Sequence, residues 1–318
     1  MERALYDPER GFYARRQSRA DFYTAPELHP AFAAVLAKDV AKRLDALRAA
    51  GVPGPLTVVE MGSGEGALAE QMLSRLPRGV RYVLVERCEE MLERAHERLA
   101  RRFENVEACV SLAELEPCAG VFLSNELVDA FPVHVLEKSG GAVRELYVAR
   151  DGGTTLAELS TPELQPHASS VSAQLEEGGL HAVNLEAAPW MADVAERLLA
   201  GWVLTIDYGK RFGGAPNPPR GFYRHTHAQR LTDRQGEQDL TASVDFDVLI
   251  GAGEQQGLRA ETYCTLGRYL LDGGIADFMP MGDSAFDFKS RAQIKTLLHP
   301  EGMGEAFKVL IQTRGLLS

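Results

Sequence analysis

The chain has 318 residues, of which 45% are hydrophobic and 25% are charged, and its formal net charge is −11. This composition is typical of folded globular proteins and excludes a disordered or fibrous chain. The negative charge argues against nucleic acid as a partner, because proteins hold phosphate backbones with clustered Lys and Arg.

The cysteines and the hydropathy of the sequence help to predict the cellular compartment. The four cysteines form no Cys-x-x-Cys pair and have no His at zinc spacing, so we expect reduced thiols and no bound metal. No segment approaches the roughly 20 apolar residues of a membrane span, and the N-terminus lacks the apolar core of a signal peptide. We therefore expect a cytoplasmic protein without a membrane partner, and the sequence leaves a homodimer open.

Residues 1–50 are predicted to form an N-terminal arm and a helix that pack on the cofactor site. The arm is rich in aromatic residues but has no sustained period. Over residues 31–50 the apolar residues recur three or four apart, which predicts an amphipathic helix.

Residues 51–318 are predicted to form one α/β domain, because short apolar strands alternate with helical segments and such repeats imply a parallel sheet. The first four predicted strands lie at residues 56–61, 82–86, 106–110 and 121–124, with a charged helix at 89–102. The pattern loosens over about 131–200 and 210–240, and we predict insertions there. The first insertion contains a predicted strand at 143–148 and a predicted helix at 192–199.

The C-terminal part of the chain continues the alternation. A fifth strand is predicted at residues 202–207, followed by a long polar loop over about 213–238. A helix at 244–256, a strand at 258–263, another helix and a strand at 307–313 complete the predicted domain.

A glycine-rich turn, EMGSGEG at residues 60–66, follows the first strand and precedes a helix. Glycines let the backbone approach a nucleotide-like ligand where a Cβ would clash. Glu86 ends the second strand, about 20 residues later, where a carboxylate can accept both hydroxyl protons of a ribose. The residues that we assign to cofactor binding are Thr24, Glu60, Gly62, Ser63, Gly64, Glu86, Ser111, Leu112 and Asn125.

Two cofactors fit this turn. Gly62, Gly64 and Ala67 also satisfy the G-x-G-x-x-G/A pattern of NAD enzymes, so the glycine spacing does not decide between them. Glu60 and the acidic end of the fourth strand favour S-adenosylmethionine, because its amino group and sulfonium are cationic whereas a pyrophosphate gains nothing from acids.

The fourth strand ends in SNELVDAFP at residues 124–132. Ligands of open α/β sheets bind beyond the carboxyl ends of the strands, so we expect Asn125 and Glu126 to face the reacting methyl group. Methyl transfer is an in-line displacement that depends on positioning, which carboxylates can supply. The alternative is that Asn125 and Asp129 cap the following helix.

Further catalytic candidates follow the fifth strand. Asp207 ends this strand at the equivalent edge, and His225, whose unperturbed pKa near 6.5 suits proton transfer, lies in the long loop. Asp239 and Asp245 are additional candidates for substrate contact. The residues that we assign to catalysis are Asn125, Glu126, Asp129, Asp207 and His225.

These motifs, in this order, resemble the MidA-like methyltransferases over nearly the whole chain. The resembling blocks are LYDP at 5–8, GFY at 11–13, DFYTAPE at 21–27, the turn at 60–66, SNELVDAFP at 124–132, TIDYG at 205–209, YRH at 223–225, DLT at 239–241, VDF at 244–246 and GEAFKVL at 304–310. The sequence departs from the family at Ala20, at Ser243 and over residues 227–238, around the expected substrate face.

The resemblance implies a class I methyltransferase fold, with a Rossmann-like sheet of seven strands, the last one antiparallel, and a cap made of the inserted segments. It also implies a protein arginine methyltransferase, because a mitochondrial member methylates arginine on a complex I subunit. By position, Gly62, Gly64 and Glu86 would bind the cofactor, and Asn125 and Glu126 would stand at the methyl group.

Three functions therefore stay open. In the leading one, the enzyme methylates a protein arginine whose guanidinium is held by Glu126, together with Asp129 or Asp207. A small-molecule N- or O-methyltransferase is the first alternative, favoured by the departures near the substrate face. A non-catalytic assembly or binding protein that retains the cofactor pocket is the second.

Overall fold

The computed structural model describes residues 1–7, 9–13, 24–149, 152–223, 226–228 and 230–315. The chain divides into two compact units, which we name the sheet unit and the accessory unit. The sheet unit consists of Tyr23–Leu127, Trp190–Tyr208 and Ile250–Ser318. The accessory unit consists of Met1–Phe22, Val128–Pro189 and Gly209–Leu249.

The described helices and strands follow one another along both units. The helices are α1 Glu2–Tyr6, α2 Ala25–Leu28, α3 Ala31–Ala49, α4 Ala67–Leu73, α5 Glu89–Ala100, α6 Leu164–Val171, α7 Ala187–Arg197, α8 Phe246–Gln255, α9 Leu266–Asp272, α10 Ala285–Leu298 and α11 Met303–Ala306. The strands are β1 Thr57–Met61, β2 Arg81–Val85, β3 Val106–Cys109, β4 Cys118–Asn125, β5 His134–Ser139, β6 Ala142–Val148, β7 Thr154–Ala157, β8 Leu180–Val183, β9 Leu198–Lys210, β10 Arg220–Tyr223, β11 Thr226–His227, β12 Asp239–Thr241, β13 Val244–Asp245, β14 Arg259–Thr265 and β15 Phe307–Arg314.

The sheet that gives the sheet unit its name has eight described strands, of which seven follow the order β14-β15-β9-β4-β1-β2-β3 and the eighth, β13, pairs in parallel with β9. β1 pairs in parallel with β2 and β4, and β4 pairs in parallel with β9. β15, the last strand, runs antiparallel to both β9 and β14. The expected α/β class I methyltransferase fold, with an antiparallel last strand, is confirmed.

The core of the sheet unit follows from its hydrophobic pattern. Every residue of β1 is buried, as expected for an inner strand of a parallel sheet that is covered on both faces. In α3 the buried residues Phe32, Leu36, Val40 and Leu44 recur every four positions, so one helical face contributes to the core. This core holds the carboxyl ends of the parallel strands in fixed register.

The accessory unit contains two smaller groups of strands. An antiparallel sheet in the order β7-β6-β5-β8 packs Leu136 and Val183 against Leu164 and Ala168 of α6. A second set, β11-β10-β12, adjoins a cluster in which Leu240 packs with Leu5 and Phe12.

One polar cluster of this unit centres on Glu145 of β6, which is 5% exposed. Its carboxylate accepts hydrogen bonds from Tyr147 Oη at 3.0 Å and Ser160 N at 2.6 Å, and its Oε1 lies 2.7 Å from His134 Nδ1. Ser160 Oγ also contacts His134 Nδ1, at 3.4 Å. Both contacts fall on the same ring nitrogen, and together they form a polar network around Glu145.

Three segments differ from the sequence predictions. The helix expected at residues 192–199 is α7, which begins at Ala187 and ends at Arg197, because β9 starts early at Leu198. The polar segment 213–238, predicted to be a loop, contains β10, whose backbone pairs with β11 and β12. The predicted arm and helix of residues 1–50 are divided between the two units, with α1 in the accessory unit and α3 in the sheet unit.

Candidate functional site

The carboxyl ends of the parallel strands lie at one edge of the sheet unit. β1, β2 and β3 are paired in register, so the residues that follow them emerge side by side. The predicted cofactor residues occupy these positions, with Gly62–Gly64 after β1, Glu86 after β2, and Ser111 and Leu112 after β3. This is the edge at which open α/β sheets bind ligands.

The glycine turn after β1 depends on backbone conformations that side chains rarely adopt. Gly62, Gly64 and Gly66 have φ values of 72°, 53° and 74°. The Gly62 and Ser63 amides donate to the carbonyl oxygen at the end of β2, at 2.8 and 3.2 Å. A Cβ at Gly62 would lie 2.7 Å from Leu127 Cδ1. Glycine therefore suits this turn because of its positive φ, and a Cβ at Gly62 would push against the Leu127 side chain.

Glu86 is tied to this turn through both of its carboxylate oxygens. Oε2 accepts a hydrogen bond from Gly64 N and Oε1 accepts one from Cys88 N, each at 3.0 Å. A carboxylate oxygen can accept more than one hydrogen bond, so these contacts orient Glu86 and leave acceptor capacity for the two hydroxyls of a ribose.

Glu60 lies in a different environment from Glu86. Its side chain is 3% exposed and accepts a hydrogen bond from the hydroxyl of buried Tyr82 on β2. Burial raises the pKa of Glu60 from its ordinary 4.5 to about 8, the hydrogen bond from Tyr82 opposes this rise, and the charge of Glu86 adds to it. At neutral pH Glu60 is therefore mostly a neutral acid, whereas the sequence analysis treated it as an anion facing the cofactor.

Ser111 and Leu112 follow β3. Ser111 Oγ accepts a hydrogen bond from Ala113 N at 3.2 Å and caps the 3-10 turn Leu112–Glu114. The Leu112 side chain is buried and supplies an apolar surface after the third strand. An apolar side chain next to exposed backbone suits the flat face and polar rim of a purine base.

The end of β4 brings together the predicted catalytic pair. Glu126 has φ 55°, a left-handed conformation that is costly for a residue other than glycine. Its Oε1 accepts hydrogen bonds from Asn125 Nδ2 at 2.9 Å and from Ala25 N, at the start of α2, at 3.0 Å. Glu126 N donates to the Ile206 carbonyl at 3.0 Å. The strained backbone and these contacts hold the Glu126 carboxylate in a defined position.

Thr24 adjoins this contact through a capping box. It is the N-cap of α2, and the Glu27 carboxylate accepts hydrogen bonds from Thr24 N and Thr24 Oγ1 at 3.2 and 3.1 Å. The predicted cofactor residue Thr24 is thus fixed next to Ala25, whose amide binds Glu126.

Asp207 is fully buried near the end of β9, and its carboxylate accepts hydrogen bonds from backbone amides. Oδ2 accepts a hydrogen bond from Leu127 N at 3.2 Å, and Oδ1 accepts one from Tyr208 N at 2.8 Å. These contacts fix the residue that directly follows Glu126. The geometry makes Asp207 a positioning residue for the β4 end, in addition to its predicted place at the sheet edge.

Several buried polar atoms at this edge have no hydrogen-bond partner among the described residues. They are Ser63 Oγ, Ser124 Oγ, Asn125 Oδ1 and Thr205 Oγ1. Ser124 pairs in register with both Met61 of β1 and Thr205 of β9, so these atoms belong to adjacent strands. Buried polar atoms normally find partners. Hydroxyl donors beside an amide acceptor fit the amino and carboxylate groups of an amino-acid ligand.

Two predicted catalytic residues are not described at this edge of the sheet unit. Asp129 belongs to the accessory unit, where its Oδ2 accepts a hydrogen bond from Thr241 Oγ1 at 2.9 Å and its carbonyl accepts one from Ala242 N at 3.1 Å. His225 lies outside the described residues. The sequence analysis did not single out Tyr82, Ser124 or Thr205, whose roles depend on the pairing register.

A comparison with protein families identifies the class of protein. Residues 35–264 match the model of a family described as S-adenosyl-L-methionine-dependent methyltransferases. The chain belongs to this family. The resemblance to MidA-like methyltransferases is confirmed, the cofactor is S-adenosyl-L-methionine, and the NAD alternative that the glycine spacing left open is set aside.

Related proteins support the same assignment. A protein from Burkholderia thailandensis, solved with bound S-adenosyl-homocysteine, is 29% identical with a TM-score of 0.79, and the match covers 100% of this chain and 87% of that chain. The Danio rerio protein named protein arginine methyltransferase NDUFAF7, mitochondrial, is 27% identical over 97% of this chain and 81% of its own length. The Drosophila melanogaster homologue is 25% identical over 100% and 81%.

The residues predicted to bind the cofactor lie at this edge of the sheet unit. The positive φ values of Gly62 and Gly64 shape the turn, and Glu86 has acceptor capacity that would suit a ribose. Within the described ranges, no three His, Cys, Asp or Glu side chains are grouped so that they could bind a metal ion. None of the described helices combines the length and apolar character needed to cross a bilayer.

Proposed function

We propose that this methyltransferase transfers the methyl group to an arginine side chain of a partner protein. The observation that carries the proposal is the position of the Glu126 carboxylate at the carboxyl edge of the sheet. Its backbone is left-handed, and its carboxylate accepts hydrogen bonds from Asn125 and Ala25. The names of the curated relatives, which are protein arginine methyltransferases, support the same substrate class.

A guanidinium stays protonated in proteins and presents its N–H groups in a planar fork, so a fixed carboxylate can orient it through charge-assisted hydrogen bonds. The bound cofactor supplies an electrophilic methyl group on its sulfonium. Asn125 and the Ala25 amide keep Glu126 in one orientation, and Asp207 fixes the backbone at Leu127. Positioning of this kind is the main contribution that a protein makes to an in-line displacement.

The test uses the purified chain and S-adenosylmethionine labelled on its methyl group. We expect label in the protein fraction of a cell extract, with methylarginine recovered after hydrolysis of the labelled proteins. Glu126→Gln should lower the rate by about 100-fold, the loss expected when one partner of a desolvated charge pair is removed, while the Kd for S-adenosyl-homocysteine changes little. Glu107→Gln, at an exposed pair with Arg81, is the matched control.

Two results would reject the proposal. Label that enters small metabolites and leaves protein unlabelled would favour the small-molecule methyltransferase. Full protein methylation by Glu126→Gln would remove the carboxylate from its assigned role.

The cytoplasmic location expected from the sequence also stays a prediction, which fractionation of cells expressing the protein from its own gene would test.

A further inference from the structure

A small polar pocket lies within the accessory unit, and its lining includes Asp245, one of the candidates for substrate contact. Its volume is about 50 Å³. Because a single water needs roughly 10 to 15 Å³ measured in this way, the pocket has room for a group of three or four heavy atoms. Its polar lining residues are His167, His181, Asn184, Asn217, Ser243 and Asp245.

Asn217 is the most telling of these residues, since it is 6% exposed and three of its four polar groups are paired. Its amide N–H donates to His181 Nδ1 at 3.1 Å, Nδ2 donates to the Ser243 carbonyl at 2.7 Å, and its carbonyl accepts from Ala182 N at 2.7 Å. Asn217 Oδ1 accepts no hydrogen bond from the described residues. Because Asn217 lines the pocket, its Oδ1 is available there to accept a hydrogen bond from a ligand that donates.

Asp245 adds a negative charge to the same pocket. Its Oδ1 accepts hydrogen bonds from Asp247 N at 3.0 Å and from Phe212 N at 3.4 Å, whereas its Oδ2 has no hydrogen-bond partner in the described part of the chain. The described residues that line the pocket include neither Lys nor Arg. The charge of the lining therefore comes from a carboxylate.

The two histidines do not cancel this charge at neutral pH. His181 Nδ1 is an acceptor for the Asn217 amide, which places the proton of the neutral ring on Nε2. Burial lowers the pKa of His181 to about 4, and the neighbouring His167 contributes to this decrease. Burial also lowers the pKa of His167, which Asp245 opposes. Neutral imidazoles neither repel a cation nor attract an anion strongly.

We propose that this pocket binds a guanidinium or alkylammonium group. The Asp245 carboxylate and Asn217 Oδ1 would accept its N–H bonds, and the pocket volume matches such a head group. The apolar side chains of Val128, Val133 and Val183 line the same space and suit the carbon stem of the cation. The proposal rests on the accessory unit alone and does not depend on which molecule accepts the methyl group.

The cation can come from two sources, a basic side chain of another protein or a free small molecule. The probes are methylguanidinium chloride, the acetyl-Gly-Arg-Gly-amide peptide, and urea as a neutral planar control. The readout is the NMR signals of the histidine rings in the full-length protein. We expect saturable shifts of His167 and His181 with methylguanidinium and none with urea at equal concentration. Tighter binding of the peptide would identify a protein side chain as the source, and equal binding would identify a free cation.

Asp245→Asn should weaken methylguanidinium binding by about tenfold or more, because the pocket then lacks its charge. Asp247→Asn is the matched control, since Asp247 pairs with Arg211 and does not line the pocket. Its affinity should stay within about twofold of the unmodified protein. Equal shifts with urea, no shifts with any probe, or full binding by Asp245→Asn would overturn the proposal. The comparison of methylguanidinium with urea needs no variant, so it decides the matter even if Asp245→Asn fails to fold.

Discussion

Each unit of this methyltransferase contains a buried glutamate. At neutral pH one of them is mostly protonated and the other is ionised. In the sheet unit, burial raises the pKa of Glu60 to about 8, against the single opposing hydrogen bond from Tyr82. In the accessory unit, burial would likewise raise the pKa of Glu145, but hydrogen bonds involving His134, Ser160 and Tyr147 outweigh it and lower the pKa.

The difference shows that the number of donors around a buried carboxyl, and not burial alone, decides whether it is ionised. It also gives the two units opposite responses to pH. Glu60, with a raised pKa, stabilises the fold fully below its unfolded pKa of about 4.5 and loses this contribution as pH rises toward 8. Glu145, with a lowered pKa, contributes stability above its unfolded pKa and loses it as pH falls through its folded pKa.

The largest difference is expected between two glycine substitutions, one in each unit. Gly62→Val should reduce affinity for S-adenosyl-homocysteine by more than about 100-fold, because its Cβ meets Leu127 and its φ is positive. Gly141→Ala in the accessory unit, with φ 78° and nothing within 4 Å of its Cβ, should lower stability by about 1 kcal/mol and keep the affinity. Isothermal titration calorimetry measures the affinity of both variants, and retained affinity in Gly62→Val would refute the assigned role of the turn.

Glu145→Gln tests the ionised carboxyl of the accessory unit. Removing one partner of a buried, hydrogen-bonded pair should cost about 3 kcal/mol in the free energy of unfolding at pH 7. The acid-dependent loss of protection below about pH 4.5 should become smaller, since the variant has no carboxylate to protonate. Hydrogen exchange of the β5 and β6 amides measures the stability of this region. Unchanged exchange at pH 7 would contradict the network described around Glu145.

Glu60→Gln should change the free energy of unfolding in the opposite direction from Glu145→Gln. The glutamine stays neutral at every pH and can still accept the Tyr82 hydrogen bond, so the variant should gain stability over the unmodified protein by about 1.4 kcal/mol per pH unit between 4.5 and 8. At pH 7 the gain would be about 3 kcal/mol. Both tryptophans, Trp190 and Trp202, lie in the sheet unit, so their fluorescence during urea unfolding reports on it. A gain that does not depend on pH would rule out a protonated Glu60.

Tyr82→Phe is expected to have the smallest effect. It removes the donor from Glu60 without opening a large cavity, at a cost of about 1 kcal/mol in the free energy of unfolding. The pKa of Glu60 should rise further, because burial and the charge of Glu86 then act without opposition. The same fluorescence measurement, repeated across pH, should show the alkaline loss of stability shifted to higher pH. An unshifted profile would mean that Tyr82 does not control Glu60.

The sequence predicted the sheet unit well because its signals are local. Buried runs such as the one in β1, and the glycines at 62–66, need no knowledge of distant contacts. The sequence predicted less about residues whose roles depend on how the strands pair. The partnership of Glu60 with Tyr82 requires the register of β1 and β2, and the backbone contacts of Asp207 require that β9 pairs with β4.

The accessory unit was harder to predict for a similar reason. The strand β10 is short and polar, and its pairing with β12 is stabilised by backbone hydrogen bonds that leave no hydrophobic period in the sequence. His167, His181 and Asn217 of the polar pocket are far apart along the chain and match no motif, so their association is visible in the fold alone.

The left-handed backbone of Glu126 has a consequence for how variants of this protein would be selected. Glycine at this position would relax the backbone, since it adopts positive φ without steric conflict. The same exchange would delete the acid side chain and with it the acceptor for Ala25 N and Asn125 Nδ2. Under the proposed function, relief of backbone strain and loss of methyl transfer would therefore come together at this position.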